Sequence, residues 1–270
     1  MVIGAEPAGQ ALIETLRHLF AAVPGGWTRG GGGGGALAAV TGVALPTLNG
    51  VWVEQRDAQG DLVGDLLDAV AATGLPYCLQ LGPGAGARLA ELAARQGMSR
   101  EKDVPLMALQ DAGALGVPQT VNRLLIRELE PAEALLHASV AAAGFEVPAE
   151  LFQQLMTPEV LSAPGVRCYL GEVDGQPVTT RFGVTLRTFV AIFSIATPPA
   201  HRGRGYGAAV TARAVSDGLA AGAKWSWLQT SPAGHRIYER LGFRTVERWQ
   251  CWLGAAPDRP APGSASPQPL

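Results

Sequence analysis

The segment Ser194-Ile-Ala-Thr-Pro-Pro-Ala-His-Arg-Gly-Arg-Gly-Tyr-Gly207 joins an apolar run to an alanine-rich helical one. Within it Arg202, Gly205 and Gly207 make an Arg-x-x-Gly-x-Gly pattern. Glycines without a Cβ let the backbone come close to an anion. The first amides of a helix have no partner inside it and lie at the positive end of its dipole. The chemistry that suits these residue types is a grip on the phosphates of a coenzyme. The amides of Gly203, Arg204, Gly205, Tyr206, Gly207 and Ala208 would be the donors, and Arg202 or Arg204 would add a charge-assisted contact. Taken alone, the pattern also fits a plain strand-to-helix loop.

The residues beyond this loop exclude a nicotinamide coenzyme. A dinucleotide fingerprint wants Gly-x-Gly-x-x-Gly after the first strand and an acidic residue about twenty positions on. Here the next strand ends in Gln229-Thr230-Ser231, with no carboxylate.

The order downstream is strand (Trp225 to Ser231), short helix (Pro232 to Leu241) and final strand, with Tyr238-Glu-Arg-Leu-Gly-Phe243 closing the helix. Arg202 to Gly207 followed by Tyr238 to Phe243 resembles the GNAT acetyltransferase superfamily over roughly residues 120 to 253. The resemblance implies a mixed, mainly antiparallel α/β sheet flanked by helices and an acyl-CoA, most simply acetyl-CoA, as co-substrate. It implies a pantetheine arm laid like an extra strand along Ile195, Ala196 and Thr197, with Ser231 near that arm. It also implies Tyr238 as the acid that protonates the departing thiolate, a strand amide as oxyanion donor, and direct attack by an amine. A tyrosine packed under the last strand is the plainer reading of Tyr238. No base is named. His201, His235, Glu172 and Glu247 are candidates, and each also reads as solvated surface.

These residues need elements to hold them. Arg187 to Ala196 reads as the strand before the loop, after Val166 to Val173 and Gln176 to Thr185, the latter two joined at Asp174-Gly175, a hairpin signal. Asn122 to Glu128 reads as a strand, and Pro131 to Ala143 and a run from Pro148 as helices. The first half gives a helix over Ala8 to Val23, a strand over Leu48 to Gln55, and a helix over Asp61 to Thr73 with Asp61 as N-cap. A strand over Tyr77 to Leu81, a helix over Ala85 to Gln96 and a strand over Val104 to Leu109 complete it. The glycine run Gly30 to Gly35 reads as a flexible loop with no strand before it.

The halves share a strand, a Pro/Gly turn and a helix ending in Gly before an apolar residue, aligning Ala93 with Tyr238. The first half lacks an Arg-x-x-Gly-x-Gly loop between its strands, so it reads as a degenerate partner domain over 1–118 beside a catalytic domain over 119–253. Residues 254–270, rich in Pro, Ala and Ser, read as a disordered tail.

At 47% hydrophobic and 16% charged residues the chain is globular, and a formal charge of −2 argues against general nucleic-acid binding. Cys78, Cys168 and Cys251 have neither metal nor disulfide spacing and read as buried free thiols. The opening segment carries Glu6, Glu14 and Arg17, so neither a leader nor a membrane span is expected, and a reducing cytoplasm fits. The expected partner is a small-molecule or peptide amine, with no metal, nucleic acid or membrane, and the chain is a monomer or homodimer. Trp225, Trp227, Trp249 and Trp252 fit core packing as well as a cleft wall.

Overall fold

A computed structural model describes residues 8–31, 35–54, 60–116, 121 and 123–254. The expected tail from 255 onward and Gly32 to Gly34 lie outside the described residues. In chain order the elements are α1 (Ala8–Ala21), β1 (Trp27–Gly30), β2 (Ala36–Val40), β3 (Asn49–Val53), α2 (Gly60–Ala71), β4 (Tyr77–Leu81), α3 (Ala87–Arg95), β5 (Ser99–Arg100) and β6 (Val104–Leu109). They continue with β7 (Leu124–Glu128), α4 (Ala134–Phe145), α5 (Ala149–Leu155), α6 (Pro158–Leu161), β8 (Val166–Val173), β9 (Gln176–Leu186), β10 (Phe189–Ala196), α7 (Tyr206–Ala220), β11 (Trp225–Gln229), α8 (Pro232–Arg240) and β12 (Arg244–Gly254). This is the mixed, mostly antiparallel α/β architecture flanked by helices. The described residues up to Leu106, with those from Glu247, form one unit, and Met107–Val246 form the other.

In the first unit the strands run β1-β2-β3-β4-β12. The pairing is antiparallel at β1–β2, β2–β3 and β4–β12 and parallel at β3–β4, whose crossover is α2. Helix α1 buries Leu12, Ile13, Leu16, Leu19 and Phe20 at the 3.6-residue spacing that makes one apolar face. Helix α2 buries Val63, Leu66, Leu67 and Val70. It begins at Gly60, which places Asp61 inside its first turn rather than at the N-cap.

The glycine run differs from its expected form. Strands stand on both sides of it, with Trp27 paired to Val40 and Gly30 to Leu37. Gly30 sits at φ +81°, where a Cβ would overlap the Ala36 carbonyl, and the Gly31 amide donates to that carbonyl at 2.7 Å. The first two glycines therefore have a steric role in a hairpin. No helix start comes after them.

In the second unit the order is β11-β10-β9-β8-β7, antiparallel except at β10–β11, whose crossover is α7. The β8–β9 turn has Asp174 at φ +53° and Gly175 at φ +74°, the two positive values a tight type I′ hairpin needs. Val190, Ile192 and Leu228 form one core with Ala212 and Val215 of α7, Tyr238 and Leu241 of α8, and Met107 and Leu109 of β6. The three cysteines are free and buried.

Candidate active site

Strands β10 and β11 run side by side from Phe189 against Trp225 to Ile192 against Leu228, and their pairing stops there. On its other edge β10 pairs Phe193 with Phe182, then slips, and resumes at Ala196 with Thr180. The slip centres on Ser194, which sits at φ +50°, is fully buried, and has no partner for its Oγ. A residue inserted in one strand bends it and raises its twist. A left-handed conformation at a residue with a Cβ costs roughly 1–2 kcal/mol. The result is a fork at the ends of two parallel strands, held open by a strained residue.

The glycine loop stands beside this fork. Gly203 is at φ +77°, with nothing within 4 Å of where its Cβ would be. Gly205 is the N-cap of α7 at φ +83°, ψ 0°, and offers no side chain to cap the helix. The first intrahelical bond runs from Ala209 N to Gly205 O at 3.0 Å, so the amides of Tyr206, Gly207 and Ala208 have no acceptor within the helix. A Cβ on Gly207 would stand 3.5 Å from Thr197 Oγ1 and 3.7 Å from Ile195 Cγ2. The loop thus borders the Ile195–Thr197 stretch, and an anion at the helix start would meet the free amides of Tyr206, Gly207 and Ala208. Such a site fits a phosphate group.

The two arginines of the loop differ. Arg202 is spent on the protein: Nε donates to Thr197 O at 3.1 Å, and Nη2 donates to Gly144 O at 2.7 Å and to Glu146 Oε1 at 2.8 Å. It ties the loop to the end of α4. Arg204 is exposed and on the loop itself.

On α8, Ser231 is the N-cap, its hydroxyl accepting from Gly234 N at 3.4 Å. Tyr238 is 8% exposed, its ring edge-on to Phe243 with centroids 6.3 Å apart. Gly234 makes room for that ring, since a Cβ there would lie 2.9 Å from Tyr238 Cε2 and 2.8 Å from Thr230 Oγ1. Burial raises the Tyr238 hydroxyl pKa, and the charge of Arg181 opposes the rise. The last turn ends with Phe243 N on Tyr238 O at 3.0 Å across Gly242 at φ +95°. That geometry is why Gly stands before the aromatic.

The candidate bases are dispersed. Glu172 accepts from Arg127 Nε at 3.0 Å, and His235 is bonded to Thr245 Oγ1 at 2.9 Å. Glu247 belongs to the first unit, where it accepts from Gly9 N at 3.1 Å and Trp249 Nε1 at 2.8 Å. His201 stands in the loop with its Nδ1 buried and unpartnered. Trp227 is fully buried, with ring centroids 6.5 Å from Phe189 and 5.4 Å from Phe193, as a core residue.

Sequence reasoning passed over Arg181. It lies on β9 between Thr180 and Phe182, whose partners are Ala196 and Phe193, so it is opposite the bulge in β10. It is 1% exposed, and its Nε and Nη1 have no hydrogen-bond partner. The available signal was a single charge inside an otherwise uncharged strand with a glycine two residues on, on the same face.

Among the described residues no group of His, Cys, Asp and Glu could hold a metal ion, and no helix is long and apolar enough to cross a membrane. The Acetyltransferase (GNAT) domain family matches residues 164–245. No functionally curated protein matches the chain by sequence. Among solved structures, a GCN5-related N-acetyltransferase from Kribbella flavida is 20% identical, with a TM-score of 0.68, covering 93% of this chain and 96% of its own. One from Sphaerobacter thermophilus is 14% identical (TM-score 0.58), covering 97% and 96%. A tandem GNAT protein from the clavulanic acid biosynthesis pathway is 15% identical (TM-score 0.56), covering 97% and 98%. These likenesses span both units and establish the fold. The family match covers β8 to α8 of the second unit, so that stretch is similar to an Acetyltransferase (GNAT) domain, and the chain as a whole shares the fold of these structures.

Proposed function

We propose that the second unit transfers an acyl group, most simply acetyl, from an acyl-CoA to a primary amine of a small molecule or peptide. The observation that carries this reading is the fork beyond Ile192 and Leu228 bordered by an uncapped helix start at Gly205. The amides of Gly203 to Ala208 hold the pyrophosphate, aided by Arg204 rather than Arg202, whose guanidinium is already committed to Thr197, Gly144 and Glu146. Arg202 instead fixes the loop. The pantetheine arm runs along Ile195 to Thr197, with Ser231 beside it. The amine nitrogen attacks the thioester carbonyl, the C–N bond forms and the C–S bond breaks. Sulfur leaves with the electron pair and takes the proton of Tyr238 Oη, while the amine gives its surplus proton to solvent. A neutral amine is required. No carboxylate stands in β10, so water carries that proton.

Calorimetric titration of acetyl-CoA into the wild type and into Gly205→Val/Gly207→Leu tests the coenzyme site. Micromolar binding weakened roughly 100-fold or more in a variant with an unchanged circular dichroism spectrum supports the reading. No binding by the wild type overturns it. A second reading, an acyl-CoA binder without catalysis, is favoured by the burial of Tyr238. It predicts that Tyr238→Phe leaves every activity unaltered, whereas the catalytic reading predicts a loss of kcat.

A further inference from the structure

A buried tyrosine is a poor acid for a thiolate. An ordinary tyrosine ionises near pH ~10 and an ordinary thiol near ~8.5, so the proton transfer is already uphill, and burial of Tyr238 steepens it. Something in the site must favour the tyrosinate. Among the described residues one buried charge is unexplained. Arg181 is 1% exposed, and neither its Nε nor its Nη1 has a hydrogen-bond partner. Its guanidinium carbon lies 5.2 Å from the centroid of the Tyr169 ring. Gly183 is bare beneath it: a Cβ there would overlap Nη2. Two positions of β9 are thus given over to a buried cation with two of its nitrogens unpartnered.

Such a cation is a burden on folding. Burying a charge without a partner costs several kcal/mol, and an apolar replacement of similar volume is commonly neutral or stabilising. The place of Arg181 gives the burden a use. It faces the bulge of β10, on the same side of the sheet as Tyr238: the Tyr169 ring beneath it and the Tyr238 core both pack against Ile195. The ionisable groups around it are Cys168 and Tyr169 on β8, His137 on α4, Asp217 on α7 and Tyr238 on α8. Asp217 is already engaged by the Tyr169 hydroxyl at 2.8 Å and by Arg213 Nε at 2.9 Å. Cys168 is held protonated, its thiol pushed up to about 12 by burial. Burial lowers the Arg181 guanidinium only to about 10, so it stays charged at neutral pH.

We propose that Arg181 is a positioning residue for the transfer step, a fixed charge under the fork that acts through Tyr238 by stabilising the tyrosinate left when its proton passes to sulfur. This rests on the acyl-transfer reading above. The tyrosinate then recovers its proton from water.

Four proteins test it: wild type, Arg181→Met, Tyr238→Phe and the double variant. Arg181→Met is expected to bind acetyl-CoA within threefold of wild type, melt at the same or a higher temperature, and lose roughly 10- to 100-fold in kcat. In the Tyr238→Phe background the same change should cost little, because the group it acts on is gone. Arg181→Lys should restore part of kcat near neutral pH and lose it as pH rises, since a buried lysine gives up its proton sooner than a guanidinium. An unchanged kcat, an equal loss in both backgrounds, or a loss explained by weakened binding or a lower melting temperature would each overturn the proposal. A further readout needs no turnover. With ¹³C-labelled tyrosine, the Tyr238 Cζ resonance should titrate at higher pH in Arg181→Met. If the wild type turns over no acyl-CoA, the acyl-transfer reading falls, while that shift still decides whether the guanidinium and this hydroxyl are coupled.

Discussion

The two units run through the same succession of antiparallel strands, parallel pair with helical crossover, and short helix, yet they end their parallel pairs in opposite ways. In the first, β3 and β4 stay in register to Val53 against Leu81, and the Gly82 amide extends the pairing to Val53 O at 2.8 Å. The space above is filled. A Cβ on Gly82 would lie 3.1 Å from Trp249 Cζ2, and one on Gly9 would lie 3.0 Å from the same atom and 2.9 Å from Glu54 Cγ. In the second, the bulge at Ser194 parts the strands after Ile192, and among the described residues only Thr197 and Ile195 come within 4 Å of the place a Gly207 Cβ would take. The helices after these strands end alike: Met98 N reaches Ala93 O at 3.1 Å, and Phe243 N reaches Tyr238 O at 3.0 Å. A common frame carries alanine in one copy and a phenol in the other. Polar burial also divides them. The first unit buries Asn49, whose Nδ2 donates to Val43 O at 2.7 Å and whose Oδ1 accepts from Thr41 N at 3.1 Å. The second buries Arg181 and His137, each with unpartnered nitrogens. Trp252 Nε1 in the first unit is also without a partner, so the contrast lies in the kind of group left unsatisfied, an indole there and a guanidinium and an imidazole here.

The largest expected effect comes from removing the plug. Trp249 is fully buried, and its Nε1 donates to Glu247 Oε2 at 2.8 Å. Trp249→Ala should cost about 3–5 kcal/mol of stability, seen as a fall in the denaturant midpoint. It should not create a second acetyl-CoA site, because the first unit has no Arg-x-x-Gly-x-Gly loop between β3 and β4. A calorimetric stoichiometry of two in this variant would break the comparison, since the plug alone would then separate the units.

Acid should separate them next. His137 Nδ1 lies 2.7 Å from Thr180 Oγ1, which itself donates to Tyr169 O at 3.0 Å, so the histidine is the donor and its buried Nε2 carries no proton. Burial, then the charge of Arg181, lowers its pKa from 6.5 to about 3. Between those values the unfolded chain binds a proton that the folded one refuses. Stability is therefore present above pH 6.5 and is lost on acidification, by about 1.4 kcal/mol per pH unit. Hydrogen exchange should show β8 to β10 losing protection over this range ahead of β2 to β4. His137→Asn, which keeps a donor for Thr180 and cannot titrate in this range, should flatten the slope. An unchanged slope would remove His137 as its cause.

Much of the second unit is legible in the sequence because its determinants are local. Asp174-Gly175 makes its turn by its own φ preferences, and Arg202, Gly205 and Tyr238 fall on the elements their motifs imply. The features that turn a loop into a fork are not local. Ser194 takes a positive φ where the pairing of β10 with β9 slips between Phe193 and Ala196, and nothing in Phe-Ser-Ile announces that. Arg181 looks like a solvated strand residue until the burial of β9 on both faces is seen. In the first unit β1 and β2 escaped notice because Ala36-Leu-Ala-Ala-Val40 has weak strand preference, and its all-buried pattern comes from α1 and α2 packing around it. The role of Arg202 changed for a related reason: its partners Gly144 and Glu146 lie nearly sixty residues away in sequence.

The smallest effect concerns the plug's own charge. Glu54 and Glu247 both stand against Gly9, at 2.9 Å (Cγ) and 3.1 Å (Oε2) from the place its Cβ would take. Glu247 has donors for both oxygens, in Gly9 N and Trp249 Nε1. Glu54 takes the penalty: burial first, and the Glu247 charge second, raise its pKa above the ordinary 4.5. For an acid raised on folding, the folded chain keeps a proton the unfolded chain has released. Its contribution is therefore fully present below pH 4.5 and is lost as pH rises through the raised value. Glu54→Gln fixes the neutral form. Its melting temperature should match wild type near pH ~4 and lie slightly above it near pH ~8, a difference kept small by solvent around a half-exposed group. An equal offset at both pH values would mean that the two carboxylates do not repel. The plug would then be held by the indole alone, and the contrast between the units would reduce to the presence of Trp249 in one and the bulge at Ser194 in the other.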